Sequence, residues 1–189
     1  MKKTILTALA ALLVAVPAVK AQKVNKEALL AKIEKSDADI ADAKKNAKAS
    51  TWINRGKALY EAAVEPTKSL FVNMDAAMLK LAVGEPKSTT KETLNGTEYD
   101  AWVYPYFTAY VKDNKVVTWK QSKWVLKDAP KKAIEAYNKA YEIDPKSAAK
   151  AKDGLQQISD FCSQVGNTGI DTGEYVAAAD AYATAFQAQ

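Results

Sequence analysis

The stretch Ala133-Ile134-Glu135-Ala136-Tyr137-Asn138-Lys139-Ala140-Tyr141-Glu142-Ile143-Asp144-Pro145 decides the fold. Ala133, Tyr137, Ala140 and Tyr141 follow one another at helical spacing and share one helix face. Asp144-Pro145 ends the helix, because the residue before a proline is pushed out of the helical region. A face that alternates small and aromatic side chains suits close packing against another helix. The pattern returns after Gly173, where Ala178, Tyr182 and Ala185 keep the spacing of Ala133, Tyr137 and Ala140. A repeated helical unit points to protein binding more than to chemistry.

This stretch resembles the second helix of a tetratricopeptide repeat. Trp52-Ile53-Asn54-Arg55-Gly56-Lys57-Ala58-Leu59-Tyr60 is similar to the first helix of such a repeat. A glycine in mid-helix costs about 1 kcal/mol against alanine. The resemblance gives Gly56 its reason, since in the family this glycine lets the neighbouring helix approach. The small residue that it faces normally follows about twelve positions later, but here the best match is Ala133. The reading is therefore one split repeat, with its first helix at about 50–64 and its second at about 129–143. The alternative is two unrelated degenerate repeats. In the next repeat Gly166 takes the slot of Gly56. The helix before it, about Ser147 to Val165, is longer than the family pattern, which implies an extended helix or an extra short one. Gly169 replaces a large apolar residue of the family, so fraying is expected there, with Ile170 compensating. The family's closing proline would fall just past Gln189. Tyr182 and Phe186 are thus expected on a face that receives a further helix, from a longer chain or from a partner, unless the face is simply left open.

Met1-Lys2-Lys3, the apolar run Ile5 to Val16 and Val19-Lys20-Ala21 form a secretory signal peptide over 1–21, cut between Ala21 and Gln22. The run is shorter than the roughly 20 residues of a spanning helix. No cysteine follows the cut to carry a lipid. The mature chain is expected in the periplasm or outside the cell, with no membrane span. The whole chain has 27 basic and 22 acidic residues. Loss of Lys2, Lys3 and Lys20 leaves 24 − 22 = +2. No basic stripe survives, so nucleic acid is not an expected partner. The lone Cys162 excludes an internal disulfide and reads as a small buried residue. Histidine is absent, which removes the commonest general base and metal ligand. With no phosphate loop and no nucleophile elbow, neither enzyme activity nor a cofactor or metal is expected.

The organisation expected is 22–64 for N-terminal helices including the first helix of the split repeat, 65–127 for an insertion, and 128–189 for the remaining repeat helices. Asn25 caps a first helix with Leu29, Leu30 and Ile33 on its apolar face. Ser36-Asp37-Ala38-Asp39 reads as the cap of a second. In the insertion, Leu70 to Val83 has helical periodicity, with Met74, Ala77, Met78 and Leu81 on one side, and Gly84-Glu85-Pro86 stops it. A polar loop with Asn95-Gly96 leads to three strands, about Tyr99–Tyr104, Phe107–Val111 and Lys115–Trp119, joined by Pro105 and the Asp113-Asn114 turn. The fold class is mainly α, with tetratricopeptide-like antiparallel helix pairs and a small three-stranded antiparallel β insertion. Gly84-x-Pro86, Trp102-x-Tyr104 and Asp113-Asn-Lys-Val116 resemble the helix-plus-sheet modules of small envelope-assembly lipoproteins; no function is carried over from them.

The first helices of such repeats line a groove, so the resemblance implies that Asn54, Lys57 and Glu61 face it. Chaperone-binding members clamp a terminal carboxylate with such residues, but Asn54 and Lys57 are too few for a clamp, and a solvated face explains them better. The second candidate surface is aromatic: Trp102, Tyr104, Tyr106, Phe107, Tyr110, Trp119 and Trp124. A small sheet on one helix buries one face, so some of these rings are expected to be exposed. The leading function is a non-enzymatic scaffold that binds another envelope protein or a peptide segment. The alternative is a glycan- or peptide-binding part of an envelope uptake system that uses the exposed aromatics.

Overall fold

The computed structural model describes residues 24–189; the signal peptide expected over 1–21 lies outside them. Helix α1 (Lys26–Ala41) starts where Asn25 Oδ1 accepts the Ala28 N–H at 3.0 Å. Leu29 and Ile33 are its buried face. Ser36 does not cap a new helix. It lies inside α1, buried, with its hydroxyl donating to the Ile33 carbonyl at 2.7 Å and accepting from Arg55 at 2.8 Å. The break comes at Asp42, which caps the short α2 (Ala43–Asn46). Helix α3 (Ala49–Val64) follows and packs beside α1.

The next helix to pack along α3 is α5 (Ala129–Ile143), far away in sequence. Tyr137 is the pin between them. It is 1% exposed, and a Cβ added to Gly56 would sit 2.7 Å from its ring. Helix α6 (Ala148–Asp171) closes on the other side of the same ring through Gly154. Helix α7 (Tyr175–Gln187) repeats the device, with Gly166 of α6 2.7 Å from the Tyr182 ring by the same construction. The ring lies flat on the helix in each case, and only a missing Cβ leaves room for it.

A 3-10 turn at Pro145–Ser147 precedes α6, which is one extended helix of 24 residues. No fraying occurs at Gly169. It is buried in the helix, where an added Cβ would touch Ala178 Cβ at 3.0 Å, so its smallness lets α7 close in. Ile170 is 46% exposed and compensates for nothing.

Between α3 and α5 the chain builds a second core. Helix α4 is confined to Ala76–Val83, capped by Asp75, whose carboxylate accepts the Ala77 N–H at 2.9 Å. Residues 70–75 are not helical, and Asn73 has φ 67°. The expected apolar face is also corrected. Leu79 and Ala76 are buried, while Met78 and Leu81 are 52% and 59% exposed.

The sheet has four antiparallel strands, not three: β1 (Ser88–Leu94), β2 (Thr97–Val103), β3 (Phe107–Lys112) and β4 (Lys115–Gln121), in that order. The polar segment read as a loop is β1. Asn95 and Gly96, with φ 49° and 80°, form the two-residue turn that joins it to β2 in the register Leu94↔Thr97 through Ser88↔Val103. Overall the protein is mainly α with an inserted antiparallel sheet.

Beyond the exposed strand β1, the sheet is covered on both faces. Phe107, Val111, Val116 and Trp119 join Leu70, Met74 and Leu79 in the insertion's core. The opposite face meets the α6–α7 junction: Thr118 donates to Asp171 at 3.1 Å, and Lys120 pairs with Glu174. The β4 edge is capped by the irregular segment before α4. Asn73 N–H donates to Val116 O and Val116 N–H to Met74 O, both at 2.8 Å. The outer edge of β1 pairs with no other strand among the described residues.

Candidate functional site

Asn54, Lys57 and Glu61 do come together. They line a shallow trough of about 300 Å³ between α1 and α3, with Lys32, Lys35 and Asp39. Glu61 is engaged there: Lys32 donates to both of its carboxylate oxygens, at 2.6 and 2.7 Å. Asn54 and Lys57 are exposed. Both partners of the Lys32–Glu61 pair are themselves well solvated, so it contributes at most about 1 kcal/mol.

The aromatic residues are not a surface patch. Tyr104, Phe107, Tyr110 and Trp119 are each 4% exposed or less. Trp102, Tyr106 and Trp124 are half-buried. The expectation of exposed rings fails because the sheet has two covers instead of one. Lys80 of α4 sits 5.0 Å above the Trp102 ring. Tyr110, on the other face, donates its hydroxyl to Glu92 at 2.9 Å. Burial, then that carboxylate, hold its phenol protonated far above the ordinary value.

Some of these rings instead wall a cleft of about 510 Å³ that the sequence reading missed. It opens between the end of α3, the start of the described chain and the insertion. Val24, Pro66, Val83, Tyr104, Tyr106 and Phe107 make it largely apolar. The β2–β3 turn builds one wall: Tyr104 N–H donates to Phe107 O at 2.8 Å across Pro105, and the two rings stack at 4.8 Å. Among the described residues the buried Tyr104 hydroxyl has no hydrogen-bond partner. Burial, then the charge of Glu85, push its pKa up to about 12. A buried hydroxyl without a partner costs about 1–3 kcal/mol, so this is an unusual wall. Ser69, Glu65, Glu85 and Lys87 form the polar part of the lining. Glu65 pairs with Lys68 at 2.8 Å and Glu85 with Lys80 at 2.9 Å. A sequence signal did exist, in the proline corner flanked by Tyr104 and Tyr106 just after the Gly84-Glu85-Pro86 stop.

Two further features stand out. Cys162 is buried as expected, and desolvation raises its thiol to about 12, so it is no nucleophile in the folded state. The outer side of α7 is open: Val176 is 87% exposed and Phe186 77%. Tyr182 is not on that open face, because it is laid against Gly166. No helix among the described residues is long and apolar enough to cross a membrane. Comparison with protein-family models, curated proteins and solved structures finds no match for this chain.

Proposed function

We propose that this chain is a non-enzymatic interaction scaffold of the bacterial envelope, exported by its N-terminal signal and built on tetratricopeptide-like helix pairs. One observation carries the reading: the same glycine–tyrosine packing joins α3 to α5 through Gly56 and Tyr137, and α6 to α7 through Gly166 and Tyr182. Two copies of one close-packing device are the mark of a repeat architecture, and such architectures work by presenting surfaces. The trough at Asn54 and Lys57, the insertion and the open side of α7 are the surfaces offered to a partner.

In-cell cross-linking of the exported protein, with mass spectrometry of the captured species, tests this. The expected result is one dominant envelope protein, linked through Lys57, Lys112 or Lys115. Recovery of the protein alone, in replicate, refutes the scaffold.

A second reading, a small-ligand component of an uptake system, draws support from the cleft walled by Tyr104, Tyr106 and Phe107. Its size is within the range of small-molecule sites. A shift of tryptophan emission on adding oligosaccharides favours it.

A further inference from the structure

The protein has two separate apolar cores. One gathers side chains of α1, α3, α5, α6 and α7; the other lies between the sheet and the segment 70–83. Tyr106 packs against both. The chain passes between the helical body and the insertion twice, over 65–69 and over 122–128. The two crossings meet at one place. Pro66 and Ser69 line the same cleft as Tyr106, and the Tyr106 carbonyl accepts the N–H groups of Ser122 and Lys123 at 2.8 and 3.1 Å. On this side the body and the insertion are separated by a cleft of about 510 Å³.

The remaining contact between them is polar. Helix α6 of the body packs beside β4. Among the described residues, the side-chain hydrogen bonds from the sheet to the body all end at residues 171–174, where α6 turns into α7. Asn95 Nδ2 donates to the Asp171 carbonyl at 3.2 Å, the Thr118 hydroxyl donates to the Asp171 carboxylate at 3.1 Å, and Lys120 pairs with Glu174. The insertion supplies every donor and the body every acceptor. Ala101 and Tyr110 are also buried on this face of the sheet, yet they belong to neither core. The Tyr110 hydroxyl is bonded inside the insertion, to Glu92 of β1, so it needs no acceptor from the body. Lys120 and Glu174 are both partly solvated, so salt weakens their attraction.

We propose that the insertion is a hinged module, latched to the helical body by Asp171 and Glu174. It pivots beside Tyr106 on its two crossings. Latched, it keeps the α6–α7 turn over Thr118 and Lys120. Released, it bares that face of the sheet and changes the width of the cleft at the pivot. Two units that meet through polar contacts, each with its own core, move as bodies when those contacts break. This inference goes beyond the scaffold reading and does not depend on which surface a partner takes.

The test uses the mature protein with Cys162→Ala, spin-labelled through Lys112→Cys at the end of β3 and Ala183→Cys on α7, both exposed positions. Pulsed electron paramagnetic resonance reads the distance between the labels. The parent protein should give one narrow distance at low salt. Asp171→Asn with Glu174→Gln should raise the population of a second distance about tenfold, since two charged acceptors are lost. Molar salt should do the same to the parent and add little to the variant. Lys120→Glu should open the latch, and adding Glu174→Lys should close it again, a rescue that a merely structural defect would not show. A second label pair inside the insertion, Lys87→Cys with Lys112→Cys, should keep its distance throughout. Circular dichroism checks that each variant folds. Three results overturn the inference: the same distance in parent and variant at every salt concentration, no closure on swapping the charges, or a change inside the insertion as large as the change across the latch, which would mean melting instead of swinging.

Discussion

Gly56→Ala should destabilise the protein although alanine is the better helix former. In an isolated helix the change gains about 1 kcal/mol. Here the new methyl would sit 2.7 Å from Tyr137 Cζ, against a normal carbon–carbon contact of about 3.5–4.0 Å. The ring cannot retreat, because it is 1% exposed and Gly154 of α6 holds its other side. Overpacking of this kind costs about 1–3 kcal/mol. The net expectation is a loss of up to about 2 kcal/mol. With a urea slope of about 2 kcal/mol/M, the unfolding midpoint falls by up to about 1 M. Tyr137→Leu alone loses about 2 kcal/mol, but it removes the ring. In that background Gly56→Ala should turn stabilising by up to about 1 kcal/mol. The assay is a double-mutant cycle by urea unfolding, followed by far-ultraviolet circular dichroism, and the change of sign is its readout. A midpoint that rises with Gly56→Ala in both backgrounds would show that α5 does not approach α3 through this glycine.

Leu79→Ala should cost about 2–5 kcal/mol, whereas Leu81→Ala stays within about 0.5 kcal/mol, since Leu79 is 0% and Leu81 59% exposed; thermal melts of the two variants check the face of α4. Cys162 should resist a thiol reagent at pH 8 in the folded protein and react at once in denaturant, and rapid native labelling would refute its burial. Burial raises the folded pKa of Cys162 from 9.0, and of Tyr104 from 10.0, to about 12. Their contribution is complete below the unfolded values and is lost as pH climbs towards 12, so the urea midpoint should hold at neutral pH and fall above about pH 9. Phe186→Ser should leave stability within about 0.5 kcal/mol, because its ring is 77% exposed, and a large loss would mean that the ring is covered.

Where the chain was legible, the information was local. The cap at Asn25, the stop before Pro145, the Asp113-Asn114 turn and the pairing of β2, β3 and β4 follow from residue types a few positions apart. The packing of α3 on α5 across the insertion was expected from Gly56, but the expected contact was Ala133, whereas Gly56 meets the ring of Tyr137. The misreadings lie where a distant segment intervenes. Ser88-Thr89-Thr90-Lys91-Glu92-Thr93-Leu94 has no apolar alternation, because an edge strand with both faces near solvent needs none. Leu70 to Val83 has helical spacing in its apolar residues, yet its first half bonds to Val116 in β4 instead of to itself.

Residue types alone called for close helix approach at Gly56 and Gly166, for antiparallel strands in the insertion and for a buried thiol. Each depends on conformations or packing volumes that the residues carry with them. Which faces stay open was set by long-range packing. The α6–α7 junction covers the second face of the sheet, residues 73–75 close one edge, and the proline corner at Tyr104 meets the end of α3 to leave a cleft. Exposure is a property of what lands on a surface, and the segments that land here come from dozens of residues away.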